Sequence, residues 1–280
     1  MKINGRQIAQ EIFTNLTNRV EVLKKKNIIP RLAIILVGNN PASVTYVRQK
    51  ELKAKLIGAK TTILNYELGI KNEELVKKIK QLNNDKNVHG IIVQRPLPAH
   101  INQEEIDNLV NPQKDVDAFL PNSPYEMPLA KAVLFILEKI YDSTPGVLPR
   151  NFIEWLCSKK IVVIGKGRTG GGPTILLLKK LGIESKVIDS KTINPELLTI
   201  NADIIISTVG KLRTIKAENL KQGVILIGVG MSRGEDGRLH GDYEENEIEN
   251  IASAYTPIPG GVGPVNVAML LSNLIQSAEQ

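Results

Sequence analysis

Short apolar runs alternating with segments of helical periodicity restrict the folds open to this chain more than any other feature. Residues 31–37, 89–94, 160–164, 203–207 and 224–227 are rich in Ile, Val and Leu and too short for helices, which marks buried strands. Residues 60–65 and 184–188 read as two further strands, and residues 8–26, 41–56, 73–83, 103–109 and 129–140 place apolar side chains at helical spacing. Strands joined through helices run parallel, with helices covering both faces of the sheet. The expected fold class is α/β.

The alternation is interrupted once. A turn-rich stretch at 121–128 precedes a helix at 129–140 long enough to connect two domains, and strands and helices then alternate afresh from residue 160. The expectation is an N-terminal α/β substrate domain over 1–140 and a Rossmann-like dinucleotide-binding domain with a parallel sheet over 141–264. A C-terminal helix over 265–280 is expected to pack back on the first domain. A chain of 280 residues is long enough for two ordinary cores.

Composition excludes several functions. The first seven residues lack a secretory apolar stretch and no apolar run reaches the length of a membrane span, so the expected location is cytoplasmic, with no membrane partner. One cysteine, Cys157, precludes an internal disulfide, and the three histidines are scattered without ligand spacing, so no metal is expected. Cys157 sits in a helix-like stretch, Phe152-Ile153-Glu154-Trp155-Leu156-Cys157, and reads as a small core residue. The net charge is +7, but the lysines are dispersed and aromatics few, which argues against a nucleic-acid partner. A mild positive balance equally suits nucleotide phosphates or a polyglutamylated substrate.

Six segments carry chemistry. Tyr255-Thr256-Pro257-Ile258-Pro259-Gly260-Gly261-Val262-Gly263-Pro264 holds three prolines and three glycines in ten residues and runs into an apolar helix pattern. That composition makes a rigid loop presenting free N–H groups to a polar or anionic ligand. Gly165-Lys166-Gly167-Arg168-Thr169-Gly170-Gly171-Gly172-Pro173 lies between a strand and a helix and loosely fits a dinucleotide fingerprint, with Lys166 available to a phosphate. After the next strand, Asp189 suits the ribose hydroxyls of NAD, whereas Ser190, Lys191 and Lys166 suit the 2′-phosphate of NADP; the alternative is that Asp189 caps a turn. Tyr46 and Lys50 share one helix face after Pro41-Ala42-Ser43, an ordinary surface pair taken alone. Gln94, ending a buried strand in Val93-Gln94-Arg95-Pro96-Leu97-Pro98, and the carboxylates of Lys114-Asp115-Val116-Asp117-Ala118 give that pair possible partners around a polar ring system.

In this order and spacing the segments resemble the bifunctional methylenetetrahydrofolate dehydrogenase/cyclohydrolase family over nearly the whole chain. The family's YxxxK matches Tyr46 and Lys50, its VQxPLP residues 93–98, its KDVDG residues 114–118 and its PGGVGP residues 259–264. The resemblance implies oxidation of 5,10-methylenetetrahydrofolate to the methenyl form, then hydrolysis to 10-formyltetrahydrofolate, in a cleft between the domains. It makes Lys50 the general acid/base, with Tyr46, Gln94 and Asp117 as its catalytic companions. Tetrahydrofolate derivatives would meet Ser43, Tyr46, Gln94, Pro96, Asp117, Pro259, Gly260 and Gly261. The nucleotide would meet Gly165, Lys166, Gly167, Gly171, Asp189, Ser190, Thr208, Gly210, Val229 and Gly261. The resemblance also implies NADP in preference to NAD, a homodimer and a role in purine biosynthesis.

The chain departs from the family pattern at several points. Arg95 replaces an aliphatic residue, Ala118 a glycine, Asn266 a threonine and Gly170 an aliphatic residue; Gly165-Lys166-Gly167 stands for GRS, and Gly228-Val229-Gly230 for DVG. Ser143-Thr144-Pro145-Gly146-Val147 is one residue shorter than the family's CTPxGV. Arg95 is expected to act on Lys50 or to grip a glutamyl carboxylate of the substrate. The departures leave other readings open: one activity only, a catalytically inactive folate- or nucleotide-binding protein, or an unrelated Rossmann dehydrogenase.

Overall fold

The computed structural model describes residues 1–144 and 151–280. In chain order the elements are α1 (Gly5–Lys25), β1 (Arg31–Val37), α2 (Pro41–Leu56), β2 (Lys60–Tyr66), α3 (Asn72–Asn84), β3 (Gly90–Val93), α4 (Gln103–Leu109), α5 (Pro128–Asp142) and α6 (Phe152–Cys157). Then come β4 (Ile161–Ile164), α7 (Gly171–Lys180), β5 (Ser185–Ile188), α8 (Glu196–Thr199), β6 (Ile204–Ser207), β7 (Ile225–Gly228), β8 (Ser232–Arg233), β9 (Leu239–His240), α9 (Glu245–Ile248), β10 (Ala254–Tyr255) and α10 (Val262–Ala278). They form two compact units, one of residues 9–128 with 267–280 and the other of residues 1–8 with 129–266. Helix α5, placed in the first domain by the sequence pattern, thus groups with the dinucleotide-type sheet. Pro145, Gly146 and Val147 of the shortened motif lie outside the described residues.

The first unit is built on a parallel three-stranded sheet in the order β2-β1-β3. Central β1 shows why its apolar run is continuous. Leu32, Ile34 and Leu36 enter one buried cluster with Phe13, Leu16 and Val20 of α1, while Ala33, Ile35 and Val37 enter another with Leu75 and Ile79 of α3. Period-2 alternation sends successive side chains to opposite faces, and both faces are covered. Helix α10 completes the first cluster with Leu270, Leu271, Leu274 and Ile275, all at most 2% exposed. Asn273, fully buried, donates from Nδ2 to Val116 O at 2.9 Å and Glu126 O at 3.0 Å, so its amide is paired with backbone.

The second unit is a parallel five-stranded sheet in the order β10-β7-β6-β4-β5. The chain leaves β4 for β5 on one side and returns to β6 on the other, which makes a topological switch point between β4 and β6. In such sheets ligands gather at the carboxyl ends of the strands beside that point. The N-terminus adds to the opposite edge, with Tyr255 N donating to Met1 O at 3.0 Å and Ile3 N to Tyr255 O at 2.9 Å.

Two local expectations are corrected. Cys157 is exposed at the end of α6, and its neighbour Leu156 takes the buried position. The Pro/Gly segment is less irregular than its composition suggests: Tyr255 belongs to β10, and Val262, Gly263 and Pro264 already belong to α10. Proline fits there because the first-turn N–H of a helix has no intrahelical acceptor to lose.

Candidate active site

In the first unit, α2 starts where the sequence supplies both a cap and a proline. Asn40 Oδ1 accepts from Ala42 N and Ser43 N at 3.1 Å each, and Pro41 opens the first turn. Ser43, Val47 and Ala54 bury one face of the helix. Tyr46 and Lys50, one turn apart beside that face, are 44% exposed and half-buried respectively. Partial desolvation raises the Tyr46 phenol above its ordinary range, so it is a neutral donor at physiological pH.

Gln94 continues the β3 ladder, its N–H donating to Ile35 O at 2.8 Å. Lys50 Nζ donates to Gln94 Oε1 at 3.0 Å, and Gln94 Nε2 donates to Arg95 O at 2.9 Å. The two contacts fix the amide orientation, since an ammonium needs an acceptor and a carbonyl needs a donor. Arg95 O also accepts from Ser43 Oγ at 3.0 Å, which ties α2 to the loop after β3. Ser43, Lys50 and Gln94 are therefore linked through one carbonyl and one amide, with Tyr46 beside them on the helix and Pro96 exposed on the loop.

Arg95 serves a different purpose from the one expected. Its Nη2 pairs with Asp107 Oδ1 of α4, its guanidinium lies 5.6 Å from the centroid of the Phe119 ring, and its side chain is 18% exposed against 6% for Asp107. The cation anchors the loop to α4 by a desolvated pair and a ring contact.

The paired carboxylates near residue 115 also divide their roles. Lys114 Nζ donates to Leu82 O, Asn83 O and Asp85 O at 3.0, 2.8 and 2.7 Å, a cation satisfying the carbonyl end of α3. Desolvation lowers its pKa. Asp115 is buried and accepts from Leu120 N at 2.9 Å and Phe119 N at 3.2 Å, and burial raises its carboxyl above the usual range. Asp117, two residues on, is half-buried in the turn these bonds hold.

In the second unit the switch point carries the glycine loop. A Cβ on Gly171 would lie 1.8 Å from Gly165 O, so strand exit and helix entry touch backbone to backbone. Thr208, the residue after β6, donates from Oγ1 to Ile164 O at 3.0 Å and closes the loop from below. Helix α7 begins at Gly171 with no side-chain cap at Gly170, and Gly172 N donates to Gly167 O at 3.0 Å, which folds the loop back on the helix start. Lys166 and Gly167 stand exposed in the loop, and Gly210 and half-buried Val229 follow β6 and β7. A backbone cradle and an uncapped helix start at a switch point fit a dinucleotide.

Asp189 is held three ways: Lys166 Nζ at 2.6 Å, Lys191 N–H at 2.9 Å and Thr192 Oγ1 at 3.1 Å. The Lys166 contact first, then the Lys191 N–H, bring its carboxyl down to about 2. It caps the turn after β5, and the lysine offsets its charge, with Ser190 exposed beside it. The Pro/Gly loop follows β10 in the same unit. A Cβ on Gly5 would lie 1.8 Å from Gly261 O, so the start of α1 rests on buried Gly261, next to half-buried Gly260 and exposed Pro259.

Sequence reasoning missed Gly5 and Asp242. Asp242 is wholly buried and gathers donors from the loop after β6. Its signal was an acid between Gly241 and Tyr243 just ahead of a helix, in a stretch whose short elements β8, β9 and α9 have no clear periodicity. Among the described residues no cluster of His, Cys, Asp and Glu could hold a metal ion, and no helix is long and apolar enough to cross a membrane.

Comparison with known proteins places both units. Residues 3–117 match the family model described as tetrahydrofolate dehydrogenase/cyclohydrolase, catalytic domain, and residues 148–280 match the NAD(P)-binding domain of the same family. The bifunctional protein FolD of Lactococcus lactis is 37% identical over 281 residues, covering 99% of this chain and 97% of its own. The crystal structure of the bifunctional FolD of Campylobacter jejuni superposes with a TM-score of 0.92 at 34% identity, covering 100% of this chain and 98% of that one. That of Trypanosoma brucei FolD, complexed with NADP and an inhibitor, gives 0.90 at 30% identity, covering 100% and 97%.

Proposed function

Because the chain belongs to the tetrahydrofolate dehydrogenase/cyclohydrolase family, we infer that it is a bifunctional enzyme of one-carbon metabolism. It oxidises 5,10-methylenetetrahydrofolate to 5,10-methenyltetrahydrofolate with NADP and hydrolyses the product to 10-formyltetrahydrofolate. The observation that carries this reading is Lys50 Nζ at 3.0 Å from Gln94 Oε1, at the carboxyl end of β3.

NADP, when bound, accepts the hydride that leaves the methylene carbon. The oxidation asks the protein for orientation and a dry site rather than for proton transfer. Hydrolysis asks for more. Water adds to the methenyl carbon and releases one proton; the resulting hydroxyl becomes the formyl carbonyl as the C–N5 bond breaks, and its proton ends on N5. Lys50 is the group we assign to that proton traffic, with Gln94 Oε1 setting the direction of its ammonium. Tyr46 packs beside the substrate, Ser43 and Pro96 shape the loop around it, and Asp117 accepts from the pterin amino and ring N–H groups. Pro259, Gly260 and Gly261 offer a stiff backbone edge. The nucleotide side falls to Gly165, Lys166, Gly167, Gly171, Asp189, Ser190, Thr208, Gly210, Val229 and Gly261. Neutralisation of Asp189 by Lys166 supports NADP, since a bare carboxylate there repels a 2′-phosphate. Cytoplasmic location, a homodimer and a contribution to purine biosynthesis extend the same reading from the family.

The test follows reduced nicotinamide and the methenyl chromophore separately, with 5,10-methylenetetrahydrofolate and either NADP⁺ or NAD⁺. Reduced cofactor without methenyl build-up, and faster with NADP⁺, is expected; absence of both signals would refute the reading. In the same assay Lys50→Met is expected to cut hydrolysis by about 10²-fold or more and oxidation far less. Equal loss of both would remove Lys50 from the hydrolytic role.

A further inference from the structure

Asp242 lies between β9 and α9, far in sequence from the glycine loop, and is 0% exposed. Its Oδ2 accepts from Ser207 Oγ at 2.6 Å and from Val209 N at 3.3 Å, and its Oδ1 accepts from Lys211 N at 2.9 Å. Its own carbonyl accepts from Ile215 N at 2.9 Å. Three donors on residues 207–211 thus converge on a single carboxyl group. They come from the last residue of β6 and from the loop that leaves it at the switch point.

Those contacts determine what the loop can present. The N–H groups of Val209 and Lys211 turn inward to Asp242, while Val209 as a residue is 44% exposed. Gly210 between them adopts φ +71°. Thr208 is held on its other side by Ile164 O, through N–H at 2.9 Å and Oγ1 at 3.0 Å. A loop pinned from within at 207, 209 and 211 has one backbone path, and its outer edge is pre-formed.

We propose that Asp242 is a positioning residue for the dinucleotide, fixing residues 208–211 so that Thr208 and Gly210 meet it without first being ordered. The proposal rests on the reading of that loop as part of the nucleotide site. Removal of the carboxyl group leaves buried donors unpaired, and an ordering cost then falls on binding. An amide cannot replace it. Asn accepts through one oxygen and presents an NH₂ where a donor already sits.

Calorimetric titration with NADP⁺, on the full chain and without turnover, tests this, alongside hydrolysis of the methenyl substrate, which needs no nucleotide. Asp242→Asn is expected to weaken NADP⁺ by about tenfold or more, a larger factor than its effect on hydrolysis. Ser207→Ala keeps the carboxyl group and removes one donor, and is expected to weaken NADP⁺ by about threefold; it decides the matter if Asp242→Asn does not fold. NADP⁺ affinity within about twofold of wild type in a folded variant overturns the proposal, as does hydrolysis falling in parallel with affinity, which marks general damage. A wild-type protein that binds no NADP⁺ would overturn the nucleotide-site reading as well.

Discussion

At the scale of single residues, two positions show strain and desolvation that substitution can read out. Ala118 adopts φ +56° in the turn that Asp115 caps, a conformation costing a residue with a Cβ about 1–2 kcal/mol. Glycine removes that cost but adds about 0.5–1 kcal/mol of unfolded-state entropy. Ala118→Gly is therefore expected to raise stability by up to about 1.5 kcal/mol in urea melts, and a loss of stability would show that the turn is not strained. His89 is the pH-sensitive position of the same unit. Its Nδ1 accepts from Arg31 N at 3.2 Å, and desolvation first, then the charges of Lys114 and Arg31, lower its pKa below 6.5. A lowered histidine contributes stability above its unfolded value, and that contribution is lost as pH falls through the folded value. Between about pH 6.5 and the folded value, wild type is expected to lose up to about 1.4 kcal/mol per pH unit from this group. His89→Gln, which keeps an acceptor without titrating, is expected to flatten that slope, and an unchanged slope would assign it to other groups.

At the scale of elements, apolar runs and capped helices were legible, even as short as the four-residue β4 and β6, and short elements without an apolar run were not. The strand at 31–37 and the helices at 41–56 and 103–109 have the observed bounds, because apolar runs and caps such as Asn40-Pro41 act locally. Elements β8, β9, α8 and α9 have two to four residues each, too few for a period to register, and tertiary contacts decide them. The site divides likewise. Tyr46 and Lys50 could be placed on one helix face from spacing alone, but Gln94 Oε1 facing Lys50 depends on the register of β3 against β1. Arg95 is the clearest case. Its neighbour in sequence is Gln94, yet its partner is Asp107 on α4, twelve residues away. Breaking a desolvated pair strands a charge, so Arg95→Leu is expected to cost about 2–4 kcal/mol of stability. Adding Asp107→Leu should restore about half or more of it. Additive losses in the double-mutant cycle would mean that the two side chains are not coupled.

At the scale of the whole molecule, chain order and spatial order differ, and the last residues matter most for that reason. The first unit draws on residues 9–128 and then again on 267–280. Leu270, Leu271, Leu274 and Ile275 fill the face of its sheet formed by Leu32, Ile34 and Leu36. At about 1.5–3 kcal/mol each, these four side chains contribute about 6–12 kcal/mol, comparable with the whole stability of an ordinary domain, about 5–15 kcal/mol. Asn273 adds two hydrogen bonds, to the carbonyls of Val116 and Glu126. The segment holding Asp117 begins at one of those residues, so α10 supports both the core and the turn that carries Asp117. A chain ending at Asn266 is accordingly expected to lose methenyl hydrolysis and to expose residues 9–128 to protease. The second unit keeps all of its residues in that truncation, so protection of 129–266 should outlast that of 9–128. Retained hydrolysis in the shortened chain would show that the three-stranded sheet is stable without its C-terminal helix, contrary to the burial of these side chains.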